Sequence, residues 1–421
     1  MNELKIERNI ICIDLKSFFA SCECVERNLN PFTTPLVVAE PNRDGAITLA
    51  VTPYMKKLGV KSRGRIYEIP KKINYITAKP RMSLYIKKSK EVVDVYLDYV
   101  SEEDLHIYSI DECFLDVTNY LKLYNKTTKE LALDIMKSIY KKTHLCATAG
   151  IGPNLLLAKI SMDIEAKHNK DFIAEWTYND VETKLWNITP LSKMWGIGTR
   201  MERNLNNIGI KKIGDIANYN KLKLKEKFGI IGEELWYHAN GIDLSKISDF
   251  KRVAKDKSIS NSQVLYKDYY NNDVLLIIKE VLSLLLKRLR KENLLTKHIS
   301  LHINYSKNTG GYFSISKKLD QETNDEALLY KTLLNMFNSY YEENMPVRKV
   351  GISLSKLEKN NHIQLNLFEN IKEVNDKNNL NNTIDKINDK YGNNSILKAT
   401  SLLSNSTIKS RNEKIGGHNA R

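Results

Sequence analysis

The sequence has few cysteines, no long apolar run and no apolar leader. Its five cysteines are scattered and odd in number, which supports neither a disulfide framework nor a zinc site. They are Cys12, Cys22, Cys24, Cys113 and Cys146. The longest apolar stretch, Val274 to Leu286, contains Lys279 and Glu280 and is too short to span a bilayer. Charged residues near the start of the chain stand where a signal peptide has its apolar core, so we expect a cytoplasmic protein that does not associate with membranes.

Acidic residues are in the minority. The 421 residues include 65 Lys and Arg against 50 Asp and Glu, which gives a net charge of +15. More than half of this excess lies between residues 251 and 318, where 14 basic residues face 5 acidic ones. Such a balance favours a polyanionic partner, with nucleic acid ahead of membrane. The 42% hydrophobic fraction excludes a wholly disordered chain, and the length suggests about two to four domains.

The N-terminal part of the chain alternates short apolar runs with helical patterns. Residues 8–20 read as a strand that leads into a helix, and 147–151 read as another strand. The runs 106–110 and 113–117 flank Asp111 and Glu112, a pattern typical of a β-hairpin. We therefore expect an α/β or α+β core with a mostly antiparallel sheet.

Three further changes of texture divide the rest of the chain. From about residue 177 short helices are broken by glycine, which predicts a small all-helical domain. From about residue 252 the order strand, helix, strand, strand, helix, strand matches a split βαβ arrangement. After Leu357 the composition turns polar, with 12 Asn in residues 359–395, and predicts a flexible tail.

Three carboxylates are candidates for chemistry. Asp14 ends an apolar strand, where a buried acid is costly unless it is paired or bound to a metal. Asp111 and Glu112 occupy the tight turn of the hairpin. Carboxylates on neighbouring strands can hold two hard cations for phosphoryl transfer, although a solvated acidic turn is the alternative interpretation.

Several ordered motifs resemble the Y-family, or translesion, DNA polymerases, and most of all the UmuC-type branch of bacterial SOS mutagenesis and UV-tolerance proteins. The resemblance covers roughly residues 8–360. The motifs that carry it are Cys12 to Glu23, Asn42 to Gly45 with the finger segment Ala50 to Gly59, Tyr108 to Asp116, Thr148 to Lys159, and Trp195 to Gly198. The departure is Lys16, which stands where many members have an acid or Asn and which we do not expect to be a ligand.

The resemblance implies a right-hand α+β multidomain polymerase with palm, fingers, thumb and little finger. The implied domains are palm and fingers in 1–176 with the fingers at about 30–80, a helix-hairpin-helix thumb in 177–245, a βαββαβ little finger in 246–358 and a flexible tail in 359–421.

Site residues follow from the same resemblance. Two Mg²⁺ ions would be held by the catalytic acids and one carbonyl, that is by Asp14, Leu15, Asp111 and Glu112. The nucleotide would be bound by Phe18, Phe19, Thr52, Tyr54, Lys56 and Lys159. The ring of Phe19 falls at the steric gate that excludes a 2′-OH.

Three of these assignments have open alternatives. Core packing is the alternative for Phe18 and Phe19, and an exposed helix lysine is the alternative for Lys159. Lys57 is an alternative to Lys56, because Pro53 disturbs the register of the finger helix.

Residues that would grip DNA lie in the thumb and the basic module. A tight glycine turn before a helix N-terminus presents free N–H groups to a phosphate, although an ordinary turn between helices is the alternative. The candidates are Gly196, Gly198, Arg200, Lys251, Arg252, Lys255, Lys257, Lys297 and Lys317. A generic solvated surface is the alternative for any single lysine.

An apolar cluster in the tail resembles the bacterial sliding-clamp-binding peptide. Its residues are Gln364, Leu365, Leu367 and Phe368. Two apolar anchors on a tether can dock in a preformed groove and raise local concentration. A chance apolar patch is the alternative.

Together these features predict a template-directed DNA polymerase of low fidelity that acts in DNA repair and SOS mutagenesis. Thr48, Leu49 and Ala50 are modest in size, which suits an open site that accepts lesions. The expected partners are primer-template DNA, dNTPs, the sliding clamp and either SOS accessory subunits or a recombinase filament. A non-catalytic DNA-binding protein and a nucleotide cyclase are the rival hypotheses.

Overall fold

The computed structural model describes residues 2–41, 45–251, 257–360 and 371–421. The chain divides into two compact units: the first comprises Met1–Arg252 with His418–Arg421, and the second comprises Val253–Gly417. Among the described residues, no helix combines the length and apolarity that crossing a bilayer would require.

The first unit contains two sheets. Its strands are β1 (Ile10–Leu15), β2 (Leu36–Val38), β3 (Ala50–Val51), β4 (Ile76–Ala78), β5 (Leu105–Ile107), β6 (Glu112–Asp116), β7 (Ala147–Gly152) and β8 (Ile173–Glu175). The palm sheet has the order β5-β6-β1-β7-β8, and the small finger sheet has the order β3-β2-β4. The predicted hairpin around Asp111 and Glu112 is confirmed, because β5 and β6 pair antiparallel.

The described residues of the first unit also form eleven α-helices, several of which alternate with the strands along the chain. They are α1 (Phe18–Val25), α2 (Pro53–Lys57), α3 (Met82–Leu97), α4 (Leu121–Tyr124), α5 (Thr128–Thr143), α6 (Leu155–Ser161), α7 (Asp180–Thr183), α8 (Thr199–Asn206), α9 (Ile213–Ala217), α10 (Lys221–Phe228) and α11 (Ile230–Ala239). A single π-helical stretch, Met162–Ala166, continues α6. The segment from α7 to α11 is helical throughout its regular elements, as the glycine pattern predicts.

Strand β1 is the central strand of the palm sheet. Ile10, Ile11 and Ile13 are fully buried, since β1 has a neighbour on each side and core on each face. Such β-branched residues suit a pleated, covered strand. The strand therefore fixes the backbone of Asp14, which pairs with Glu112 on β6 and with Thr148 on β7.

The second unit contains the predicted split βαβ arrangement. Its main elements are β9 (Ser258–Tyr269), α12 (Asn271–Lys291), β10 (Leu294–Tyr305), β11 (Tyr312–Thr323), α13 (Glu326–Tyr340) and β12 (Val347–Lys359). The sheet order is β11-β10-β12-β9 with antiparallel neighbours, so β9 and β10 run in the same direction on either side of β12. Helix α12 buries an apolar face that includes Ile277, Leu282 and Leu289.

The expectation of a flexible tail is wrong for residues 371–417. This segment forms α14 (Ile371–Tyr391), α15 (Ile408–Asn412) and β13 (Lys414–Ile415), and the chain then ends with β14 (His418–Asn419) in the first unit. Arg290 of α12 makes a two-point ion pair with Asp385 of α14, at 2.7 and 3.1 Å. The composition is too polar for a core of its own, but polar groups of this segment find partners on the rest of the second unit.

Glu280 is the main attachment point for the segment before α15. Its carboxylate is 6% exposed and accepts hydrogen bonds from the Ser406 hydroxyl at 2.6 Å and the Thr407 hydroxyl at 2.7 Å. It also accepts from the Thr407 backbone N–H at 3.1 Å. Burial lowers the pKa of the Arg411 guanidinium, which the charge of Glu280 partly offsets. These donors offset the cost of burying the Glu280 carboxylate and so hold the terminal segment on α12.

We predict that Glu280→Ala releases residues 400–415 from the second unit. Hydrogen bonds to a charged group contribute about 1.5–3 kcal/mol each, and the donors of Thr407 would lose their acceptor. Limited proteolysis should then cut this segment several-fold faster than in the wild type. Glu292→Ala, at an exposed position just after α12, is the control. Equal proteolysis of the wild type and Glu280→Ala would contradict the prediction.

Candidate active site

The three candidate acids lie together at one end of the palm sheet. Asp14 and Glu112 are direct antiparallel partners, and directly opposite residues have Cα atoms about 4.5–5.5 Å apart with side chains on the same face. Asp111 comes just before β6, and its backbone carbonyl accepts from the Leu15 N–H at 2.9 Å. The Ser109 hydroxyl donates to the Asp111 carboxylate at 2.7 Å and fixes its orientation.

Burial and mutual repulsion set the electrostatics of this group. Burial raises the pKa of Asp14 to about 6, with further increases from Asp111 and Glu112 and an opposing effect of Lys167. Burial also raises the pKa of the Cys12 thiol well above its usual range, and this thiol lies 3.3 Å from Glu112 Oε1. The site therefore concentrates negative charge that a cation would stabilise.

Two lysines already face these acids. Lys159 of α6 lies 2.7 Å from Glu112 Oε1, and Lys167 lies 3.2 Å from Asp14 Oδ2. Asp163 contacts both lysines, at 3.0 and 2.8 Å. Burial alone would lower the pKa of Lys159, but the acids around it raise the pKa above its usual value. Asp163 and Lys167 are functional candidates beyond those predicted from the sequence, and the available signal was that Lys159, Asp163 and Lys167 follow one another at intervals of four residues.

The donor chemistry of the site fits a hard divalent cation. Carboxylates on adjacent strands, with a backbone carbonyl beside them, are the oxygen ligands that Mg²⁺ prefers. Within the described residues, however, no three His, Cys, Asp or Glu side chains are gathered as a ready metal group. Lys159 and Lys167 each engage one of the acids that a metal would use.

The two candidate gate residues differ in exposure. Phe18 is 2% exposed and belongs to the palm core, so for Phe18 the structure agrees with the core-packing alternative. Phe19 is half-buried, and its ring stacks on Tyr85 with centroids 4.5 Å apart. The Tyr85 hydroxyl donates to the buried Glu23 at 2.7 Å, so the ring beneath Phe19 is itself fixed.

The finger helix starts at Pro53 rather than being disturbed by it. Pro53 is the first helical residue, where a missing N–H costs nothing, and Thr52 caps the helix through its hydroxyl. Thr52 is fully buried and also donates to the Thr34 carbonyl, so its side chain serves the fold. Lys56 of the finger helix interacts electrostatically with the acids. Desolvation lowers the pKa of Lys56, and the negative charge of Asp14 partly offsets this decrease.

Lys16, the departure noted in the sequence, lies against the end of the π-helical stretch. Its ammonium group is 3.8 Å from the centroid of the Phe172 ring and donates to the Lys167 carbonyl at 3.2 Å. Burial lowers its pKa. These contacts give Lys16 a structural role in supporting the Lys167 backbone.

The thumb glycines form a turn before α8. Gly196 has φ +90°, a left-handed conformation that favours glycine, and Gly198 is the N-cap of α8. Arg200 is exposed in the first turn of that helix. The preceding Trp195 donates from its indole N–H to the Tyr108 hydroxyl at 3.1 Å, which ties the turn to the palm.

The basic candidates that the structure describes lie in different elements. Lys251 ends a 3-10 helix in the first unit and donates to the Glu102 carbonyl. Lys257 and Lys317 are exposed, while Lys297 pairs with Glu322 and so has less charge to offer. Arg252 and Lys255 lie outside the described residues. So do Gln364, Leu365, Leu367 and Phe368 of the clamp-type cluster.

Family models match most of the chain. The impB/mucB/samB family matches residues 13–163, the HHH motif of the same family matches 178–210, and its C-terminal domain matches 256–367. UvrX of Bacillus subtilis (strain 168), a protein named for UV-damage repair, is 40% identical over 98% of this chain and 97% of its own length. The chain belongs to the Y-family DNA polymerases. The rival hypotheses of a nucleotide cyclase and of a non-catalytic scaffold do not hold.

Other relatives of this Y-family polymerase carry polymerase names. "DNA polymerase IV 2" of Bacillus subtilis (strain 168) is 33% identical over 98% of this chain and 99% of its own length. A solved Y-family DNA polymerase chimera of Dbh and Dpo4 has a TM-score of 0.66 and 24% identity, over 84% of this chain and all of its own. The chain is thus a DNA-directed DNA polymerase of a DNA-repair family, with a primer-template and dNTPs as substrates and a general need for a divalent metal.

We predict that Gly150→Ala destabilises the palm and displaces the helix that carries Lys159. A Cβ at Gly150 would lie 2.2 Å from the Ala158 carbonyl oxygen and 2.4 Å from the Met162 nitrogen, so α6 must move away from β7. Overpacking of this kind costs about 1–3 kcal/mol. Thermal unfolding measures the loss, with Gly45→Ala as the control because a Cβ there meets nothing within 4 Å. An unchanged melting temperature for Gly150→Ala would contradict the packing argument.

Proposed function

We propose that this polymerase performs translesion synthesis, adding dNTPs to a primer 3′-end opposite damaged template bases with low fidelity. The observation that supports its catalytic part is the pairing of Asp14 with Glu112 across neighbouring strands, with Asp111 beside them. The family membership supports the substrates, and the name of UvrX supports a role in the response to UV damage.

Asp14, Asp111 and Glu112 would hold two Mg²⁺ ions, and the Leu15 carbonyl would complete the nucleotide side. Bound there, the ions would stabilise the attacking and leaving oxygens of an in-line phosphoryl transfer. The protein contributes rigidity, because β1 and β6 fix the backbone of two acids and Ser109 orients the third. The backbone positions are thus fixed in advance, while the metal ions would still have to displace Lys159 from Glu112 and Lys167 from Asp14.

Lysines on two sides of the acids would bind the triphosphate. Lys159 of α6 lies on the Glu112 side. The charges of Asp14 and Asp111 affect the pKa of Lys56 of α2. Tyr54 of the same finger helix is half-buried and is our further candidate for a phosphate contact. Cations there would offset charge that develops on the leaving pyrophosphate.

Phe19 would be the steric gate for the sugar. Its ring is half-buried and rests on Tyr85, so it cannot easily move aside for a 2′-OH. Thr48 is fully buried and donates to the Gly64 carbonyl, and Ala50 is small. Short side chains in this part of the fingers would leave an open site that presses little on the nascent base pair and tolerates lesions.

DNA would be held through its backbone rather than its bases. The N-terminus of α8 after Gly198, the exposed Arg200, and the exposed Lys257 and Lys317 are the candidate phosphate contacts. Contacts of this type make binding sequence-independent and sensitive to salt. The family match of the HHH motif over residues 178–210 supports the thumb contact.

The remaining partners rest on the sequence. The cluster Gln364 to Phe368 would bind the bacterial sliding clamp and keep the enzyme on the primer. SOS accessory subunits or a recombinase filament would act with the polymerase in SOS mutagenesis.

We predict that Asp111→Asn and Glu112→Gln abolish primer extension while DNA binding persists. Metal ligation contributes several kcal/mol of transition-state stabilisation, which corresponds to a rate loss on the order of 10³-fold or more. Gel extension assays and fluorescence anisotropy with a labelled primer-template measure the two properties, and Glu103→Ala at an exposed palm position is the control. Equal losses of extension and binding would make the acids structural instead.

We predict that Phe19→Ala raises ribonucleotide incorporation relative to deoxyribonucleotide incorporation. Removing a ring that fills the space of a 2′-OH should change the ratio of kcat/KM values by at least about 10-fold. Single-nucleotide extension with dNTP and NTP pairs gives this ratio. Phe18→Leu separates core packing from sugar selection. Substitution of a core residue should lower the stability of the protein and leave the ratio of dNTP to NTP incorporation unchanged. An unchanged ratio in Phe19→Ala removes the gate assignment.

A further inference from the structure

A row of alternating charges joins Glu112 to Asp14 through α6 and the π-helical stretch. Glu112 contacts Lys159 at 2.7 Å, and Lys159 contacts Asp163 Oδ2 at 3.0 Å. Asp163 Oδ1 contacts Lys167 at 2.8 Å, and Lys167 contacts Asp14 Oδ2 at 3.2 Å. Asp163 is the centre of this row, since it gives one carboxylate oxygen to each lysine. We call these five residues the charge row.

The local backbone explains why Asp163 can reach both lysines. Lys159, Asp163 and Lys167 are successive residues four apart, and such residues lie on one side of a helix. The π-helical stretch Met162–Ala166 occurs between the two lysines, and single π turns recur at functional sites. Gly152 and Gly150 allow the helix to lie directly on β7, so the row is held against the strand next to Asp14.

The charges of the row do not cancel. Three carboxylates face two ammonium groups, and Asp111 adds a further negative charge nearby. Divalent cations at Asp14 and Glu112 would compete with the lysines for the same oxygens. A lysine that loses its catalytic acid keeps Asp163 as a partner, and its remaining N–H groups can turn to another anion. For a DNA polymerase that anion is the triphosphate of the incoming nucleotide.

We propose that Asp163 is a positioning residue that holds Lys159 and Lys167 while they transfer from the catalytic acids to the triphosphate oxygens of the incoming dNTP. The proposal rests on the active site proposed above. Asp163 touches neither the reacting atoms nor the template, and acts through the two lysines. Lys167 then becomes a second cation for the triphosphate beside Lys159.

The rival interpretation is a static ion pair that only fixes the end of α6. The two interpretations differ in what they predict for metal binding by the free protein. If Asp163 draws the lysines away from the acids, Asp163→Asn leaves both lysines fully on Glu112 and Asp14, and Mg²⁺ must displace them. Lys167→Met removes a competitor beside Asp14, so Mg²⁺ should bind more tightly.

The experiment titrates the full-length protein with Mg²⁺ alone by isothermal calorimetry, without DNA or nucleotide. Charges at these distances in a partly exposed site predict opposite shifts of about 3–10-fold, with weaker Mg²⁺ binding for Asp163→Asn and tighter binding for Lys167→Met. Steady-state extension at saturating Mg²⁺ should show a raised KM for dNTP in both variants. Asp163→Glu, which keeps the charge, should restore most of the wild-type behaviour.

Glu165→Gln is the matched control from the same helical stretch. Glu165 accepts from the Trp176 indole at 2.7 Å and pairs with Lys184, outside the charge row. Its Mg²⁺ affinity and KM for dNTP should equal those of the wild type.

Three results would overturn the proposal. They are unchanged Mg²⁺ binding in Asp163→Asn, Mg²⁺ shifts of the same sign in both variants, and a lowered metal-free melting temperature in Asp163→Asn with no change in KM. Failure of the active-site assignment is separately visible, because Asp111→Asn would then extend primers whatever Asp163→Asn does.

Discussion

The antiparallel pairing of β1 with β6 is the constraint on which the proposed catalytic centre depends. It sets Asp14 directly opposite Glu112, and the Leu15 N–H bonds to the Asp111 carbonyl at the next step along the strand. A shift of one residue in this register would send one acid to the other face of the sheet. The register is protected because Ile10, Ile11 and Ile13 are fully buried between neighbouring strands. Burial of the apolar side chains of β1 therefore fixes the positions of the acidic residues at its end.

Placing three acids together has a cost that the rest of the palm offsets. Burial and the neighbouring acids raise the pKa of Asp14 to about 6, although the charge of Lys167 acts in the opposite direction. The nearby acids in turn raise the pKa values of Lys159 and Lys167 above their usual value. The helix that carries these lysines lies on β7, which pairs with β1, so acids and cations are positioned by the same sheet.

Much of this arrangement was predictable from the sequence because it follows from short-range patterns. The hairpin that carries Asp111 and Glu112 is marked by two apolar runs, and the split βαβ unit by its order of elements. Asp163 and Lys167 were missed because a lysine and an acid four residues apart are also typical of an exposed helix surface, and nothing in the pattern reveals which side faces the acids. The tail was judged by composition alone, which cannot show that Glu280 would find its donors at Ser406 and Thr407. A proline within a helical pattern predicts a disturbed register, but the position of Pro53 directly after the capping Thr52 makes it the start of the helix.

The excess of positive charge and the acidic centre act over different distances. A net charge of +15 attracts a polyanion from far away, but ions screen such attraction beyond about 8–10 Å at physiological salt. Within the cleft the field is therefore decided by groups in direct contact, such as Lys159 at 2.7 Å from Glu112. An overall basic protein can consequently keep an acidic centre with an affinity for divalent cations.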